Sequence, residues 1–132
     1  MDWNDAVAPT LDDVETLARE TFASLAESFR ALTGEIVFMV QDFPDDDVIT
    51  DMDLETGFDI LGLFQGPDLA SREGASSSHY PTMIFLYRRP ILDYWAEHGE
   101  PLGHIVRHVL IHEIGHHFGL SDEDMDAIET RE

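Results

Sequence analysis

The chain has no cysteine and no lysine. The first absence excludes disulfides, thiol nucleophiles and thiolate metal sites, so any bound metal depends on His, Asp and Glu. The second leaves seven basic residues, all Arg, against 28 acidic ones, for a net charge of −21. A surface this acidic repels phosphate backbones and anionic membranes over about 8 Å in physiological salt. It disfavours nucleic acid as a partner and favours a cationic substrate; its plainer consequence is solubility. A long apolar run and a basic-then-apolar start are also missing, and these are the marks of a membrane span and a secretory signal. The expectation is a cytoplasmic protein without membrane contact. At 132 residues it reads as one domain, 1–132, with residues 1–9 as a loose N-terminal arm.

Leu11, Val14, Leu17, Ala18, Phe22, Leu25, Phe29 and Leu32 recur at steps of three and four, which predicts one helix over 10–32. Thr10 suits its N-cap, with Asp13 three residues on, and Gly34 stops it. Segments 35–41, 58–64 and 82–87 are β-rich and predict three strands. The acidic stretch 42–53 lacks the Gly and terminal Glu of a calcium-binding loop and reads as a solvated loop. Residues 68–81 are polar and loop-like. Ser78 beside His79 there is not a catalytic pair, because such pairs need an orienting third group. Pro90 suits the first turn of a helix that runs to Glu97 and is broken by Gly99. Pro101 starts another helix, running to Phe118 with Gly119 as its stop, and Ser121 caps a last one. Helix, strands, then helices indicate an α+β fold: a small twisted mixed sheet with helices packed on one face.

Residues 112–122 read His-Glu-Ile-Gly-His-His-Phe-Gly-Leu-Ser-Asp. On a helix, four residues advance about 400° and about 6 Å, so His112 and His116 share a face. Both imidazoles can then reach one ion at about 2.0–2.1 Å. Glu113, one step around, is positioned to act on a water beside that ion as general base. Leu102, Ile105, Val106, Val109, Leu110, Ile114 and Phe118 form the opposite, apolar face, which anchors the helix. Gly119 permits a positive φ and a sharp reversal, after which Asp122 can approach as a third ligand. Three protein ligands and an open position make a catalytic rather than a structural zinc site. Zn²⁺ suits these donors, and iron, cobalt or nickel could replace it. His104 and His108 continue the four-residue ladder. His108 is a candidate to line the cleft or support a ligand, whereas His104 lies further out. His117 points about 100° from His116 and reads as structural or exposed. His79 and His98 have no assignable partner.

The H-E-x-x-H-x-x-G-x-x-D string resembles the metzincin motif with Asp in place of the usual third His. More closely, residues 109–125 (Val-Leu-Ile-His-Glu-Ile-Gly-His-His-Phe-Gly-Leu-Ser-Asp-Glu-Asp-Met) resemble the small bacterial zincin-like metallopeptidases. So do Leu61-Gly62-Leu63-Phe64-Gln65-Gly66 and Phe85-Leu86-Tyr87-Arg88-Arg89-Pro90, and the likeness takes in most of residues 30–128. It implies a compact zincin-like α+β fold with the metal motif on a C-terminal helix, His112, His116 and Asp122 as ligands, and Glu113 as base. It implies no particular substrate. Metzincins place a Met-containing turn well downstream, but here only ten residues follow Asp122. Met125 is too close for that role, so a shallow cleft is expected.

The expected chemistry is metal-assisted hydrolysis of a peptide or protein substrate, with Glu113 moving the proton. A substrate strand is expected beside residues 82–87. Tyr80, Tyr87 and Arg88 are the candidates for stabilising the oxyanion. Two rivals stand beside this. One is a metal-binding adaptor with weak or no hydrolysis. The other is a metal-dependent RNA endonuclease, for which a bacterial family has H-x-x-x-H-x-x-G-x-x-H with Gly at the position of Glu113; that Glu and the acidic surface disfavour it.

Overall fold

Thr10 opens the first helix, its hydroxyl accepting from the Asp13 N–H at 3.1 Å while the Asp13 carboxylate accepts from the Thr10 N–H at 2.9 Å. These two bonds satisfy two of the donors that a helix start leaves free. In the computed structural model, which describes residues 2–66 and 82–130, that helix is α1 (Leu11–Ala23). It ends sooner than its periodicity predicts. The Ser24 hydroxyl donates to the Thr21 carbonyl at 2.6 Å, and Ala26 takes an extended backbone with ψ 142° before the one-turn α2 (Glu27–Arg30). The apolar stripe survives the break: Val14, Ala18, Leu25 and Phe29 are all buried. The periodicity therefore reported burial, not continuity of the helix.

β1 (Ile36–Gln41) follows. The acidic stretch expected as a loop instead contains α3 (Asp46–Asp51), with Asp46 and Asp47 in its first turn, where acidic side chains suit the helix dipole. β2 (Gly62–Gln65) is shorter than expected. The Asp59 carboxylate accepts the N–H groups of Glu55 and Thr56 at 2.9 and 3.1 Å and so fixes a turn where the strand was expected to start. β3 (Thr82–Tyr87) lies where the sequence predicts it. The predicted loop 68–81, with Ser78, His79 and Tyr80, lies outside the described residues. α4 (Arg88–His98) carries Pro90 in its first turn and ends at Gly99, φ 68°. α5 (Leu102–His117) is the motif helix. α6 (Asp122–Thr130) starts after Ser121, whose hydroxyl accepts the Asp124 N–H at 3.0 Å. Near the N-terminus, Trp3–Asp5 form one 3-10 turn, and the Pro9 carbonyl is held by Arg88.

The sheet order is β1-β3-β2, with β1 parallel and β2 antiparallel to β3. The register aligns Phe38, Ile84 and Phe64 across the three strands on one face, and all three are buried. α1 and α5 cover that face, with Phe22 of α1 edge-on to Phe38 at 5.7 Å. On the other face Val37 and Met39 are exposed. This is the expected α+β arrangement. One expectation is overturned: β3 is the central strand, paired with both neighbours over Met83–Leu86, so it offers no edge to an added substrate strand. The outer strands among the described residues are β1 and β2. At Gly62, a Cβ would lie 2.7 Å from Val109 Cγ1 and 2.9 Å from the Phe85 carbonyl oxygen. The missing side chain is what lets β2 lie tight against α5.

Candidate metal centre and catalytic carboxylate

α5 is anchored by Ile105, Val106, Val109, Leu110, Ile111 and Ile114, all buried. This fixes the polar side that carries His108, His112 and His116. Chain reversal follows at Gly119, whose φ is 77°, with the Gly119 N–H donating to the His116 carbonyl at 3.2 Å and the Leu120 N–H to that of Gly115 at 2.9 Å. α6 then returns along α5 with Met125 fully buried. At Gly115, inside the motif, a Cβ would stand 2.6 Å from Met125 Sδ. The two helices can be this close only because that position has no side chain.

His112 and His116 have ring centroids 5.8 Å apart at an interplanar angle of 74°. His112 also meets a residue that the sequence reading missed. Its Nε2 lies 3.0 Å from Glu129 Oε1, and His108 Nδ1 lies 2.9 Å from Glu129 Oε2. The candidate ligand atoms of His108, His112 and Glu129 all fall within 4.8 Å of one another. A signal for Glu129 was present: it is four residues after Met125, on the side of α6 that faces α5. What hid it was its separation of 17 residues from His112.

Two imidazoles and a carboxylate are donors that zinc accepts, so the residues of this region fit such an ion. Ring orientation separates two ways of using them. An imidazole binds through the in-plane lone pair of a ring nitrogen. His108 and His112 are stacked, centroids 4.0 Å apart and 26° between planes, so their in-plane lone pairs run in similar directions rather than toward each other. His112 and His116 lie edge-on to each other instead. The close approach of Glu129 thus ties two stacked imidazoles, while the second motif histidine is left exposed beside them.

Glu113 is half-buried on α5. Burial raises its pKa, against the opposing pull of His116 and of a Phe64 backbone hydrogen bond. A carboxyl raised by burial holds a proton more readily than an exposed one, which suits a group that must accept one. Tyr87 is fully buried, and its hydroxyl has no hydrogen-bond partner among the described residues. Its pKa is pushed up to about 12, first by burial, then by Asp45 and Glu113, so the phenol stays protonated.

The remaining sequence candidates are scattered. Asp122 is exposed in the first turn of α6. Arg88 donates to the Pro9 carbonyl at 2.6 Å and to Asp42 at 3.0 Å. Tyr80 lies outside the described residues. His117 packs on Phe64 at 4.6 Å between centroids, and His98 stacks on Tyr94 at 3.8 Å. A cavity of about 310 Å³ lined by Leu61, Tyr94, Ile105 and His108 flanks the histidine ladder. No helix among the described residues is long and apolar enough to cross a membrane.

No curated protein matches the chain. The family model of zincin-like metallopeptidases matches residues 33–132, which span the sheet, the motif helix and α6, and the chain belongs to that family.

Proposed function

We propose that the protein is a zinc-dependent peptidase in which His112 and His116 hold the ion, Asp122 completes the ligand set and Glu113 is the general base. The observation that carries this reading is the pairing of edge-on His112 and His116 with a half-buried, proton-avid Glu113 on one rigid helix. When bound, zinc supplies Lewis-acid polarisation of a carbonyl and lowers the pKa of water toward ~7. Glu113 takes the proton from the attacking water and returns it to the departing amine, so one carboxyl serves both halves of the hydrolysis. The hydrophobic anchoring of α5 keeps that carboxyl in register with the histidines. His112 Nε2 lies 3.0 Å from Glu129 Oε1, so zinc on that nitrogen would displace the carboxylate. Peptide or protein is the substrate class, and the acidic surface favours a cationic one.

The test is metal content by elemental analysis, followed by cleavage of a mixed peptide library by the zinc-loaded chain and its Glu113→Gln variant. One zinc per chain and cleavage that falls by about 10²–10⁴-fold in the variant, at unchanged zinc content, is the expected result. Zinc without cleavage in the wild type would replace this reading with that of a metal-binding adaptor.

A further inference from the structure

The sheet face turned away from the main core carries a second chemical feature. Phe85 and Tyr87, two residues apart on β3, project to that face with ring centroids 6.5 Å apart. They line a cavity of about 260 Å³ together with Asp45, Asp47 and Asp51 of the α3 segment and with Gln41 and Gln65. This is a little below the volume of small-molecule sites, about 300–1,000 Å³, and suits one long side chain.

Three observations say what would enter it. First, Asp45, Asp47 and Asp51 are exposed and none is paired with a cation among the described residues. Second, Tyr87, one of the residues that line this cavity, is fully buried, and its hydroxyl has no hydrogen-bond partner among the described residues. A buried hydroxyl left unpaired is costly, so this one is poised for a ligand atom. Third, among the described residues the group whose ligand atoms converge within 4.8 Å is His108, His112 and Glu129, not these aspartates. Carboxylates beside two aromatic rings suit an extended, delocalised cation better than a metal ion.

We propose that this cavity is a specificity pocket for an arginine side chain of the substrate, its guanidinium held by Asp45 and Asp47 and donating to the Tyr87 hydroxyl. The inference rests on the peptidase reading for its place in catalysis. Tyr87, a lining residue of the pocket, feels the charges of both Asp45 and Glu113, which links the pocket to the carboxylate proposed as general base. The arrangement also gives the acidic surface a local purpose. Long-range attraction gathers cationic peptides, and the pocket selects the planar, multiply donating guanidinium.

The test uses the full chain and Nα-acetyl-arginine amide, with Nα-acetyl-citrulline amide as the neutral isostere, followed by calorimetry and by the Tyr and Phe ring resonances. Arginine amide is expected to bind at least about tenfold more tightly than citrulline amide. Asp45→Asn with Asp47→Asn should erase that preference, whereas Glu20→Gln with Glu97→Gln, which removes the same charge elsewhere, should keep it. Tyr87→Phe, with its fold checked by circular dichroism, should weaken arginine binding by about threefold. Equal binding of the two amides, or a preference that survives in the Asp45/Asp47 variant, overturns the proposal. Arginine binding without cleavage of any peptide upholds the pocket and sinks the peptidase reading. Cleavage without arginine binding does the reverse.

Discussion

Glu129 Oε1 stands 3.0 Å from His112 Nε2. The last turn of α6 therefore reaches back to the first histidine of the motif on α5. The two helices meet at one imidazole.

If Glu129 competes with zinc for that nitrogen, removing its charge should help the metal. Glu129→Gln is expected to raise zinc affinity by about three- to tenfold, the worth of one ordinary net hydrogen bond. Competition with a chromogenic chelator measures it. A fall in affinity would instead make Glu129 a ligand.

Asp122 is tested by the opposite sign. Asp122→Asn, at the exposed head of α6, should cost zinc affinity by about 100-fold or more, beyond the 10–100-fold typical of groups that only support a ligand. Unchanged affinity would leave the third ligand to another carboxylate.

The α5–α6 tie should also titrate in the metal-free chain. Burial would raise the Glu129 pKa, but its hydrogen bonds to His108 and His112 and their charges hold it below the ordinary 4.5. A folded value below the unfolded one means that the stabilisation is present above about pH 4.5 and is lost as the pH falls through the folded value. The melting-temperature gap between wild type and Glu129→Gln should therefore close in acid. A gap that stays constant from pH 7 to pH 3 would deny the carboxylate this role.

Gly115→Ala asks whether α6 depends on a bare spot in the motif. The added Cβ would meet Met125 Sδ at 2.6 Å and Cγ at 2.9 Å. Overpacking of this kind costs about 1–3 kcal/mol, to be read from urea unfolding. A neutral effect would mean that the Met125 side chain swings away freely.

Much of this molecule was legible in its sequence, for reasons that differ from element to element. β3 and α5 were readable because each is bounded by strong punctuation: Arg88-Arg89-Pro90 after the strand, Pro101 and Gly119 around the helix. α3 was hidden because aspartate favours turns and caps as readily as a first helical turn, so its acidic run read as loop. The break after Ala23 was hidden because the apolar stripe continues through it. At the site, His112, Glu113 and His116 are local and helical, and spacing alone aligned them. Glu129 depends on how closely α6 lies on α5, which is set by Gly115 and Met125 meeting across the turn. The central position of β3 is likewise a property of pairing across the whole chain, which no single strand's composition records.

Met125 gives that helix contact a chemical reporter. Its thioether is fully buried beneath Gly115, and a methionine sulfur must meet peroxide to become a sulfoxide. While α6 stays down, the sulfur is shielded by the helix that carries the metal motif. The rate at which Met125 oxidises, set against exposed Met52 in the same tube, therefore counts how often α6 lifts from α5. Mass spectrometry would read out that opening in a chain that has no cysteine to label.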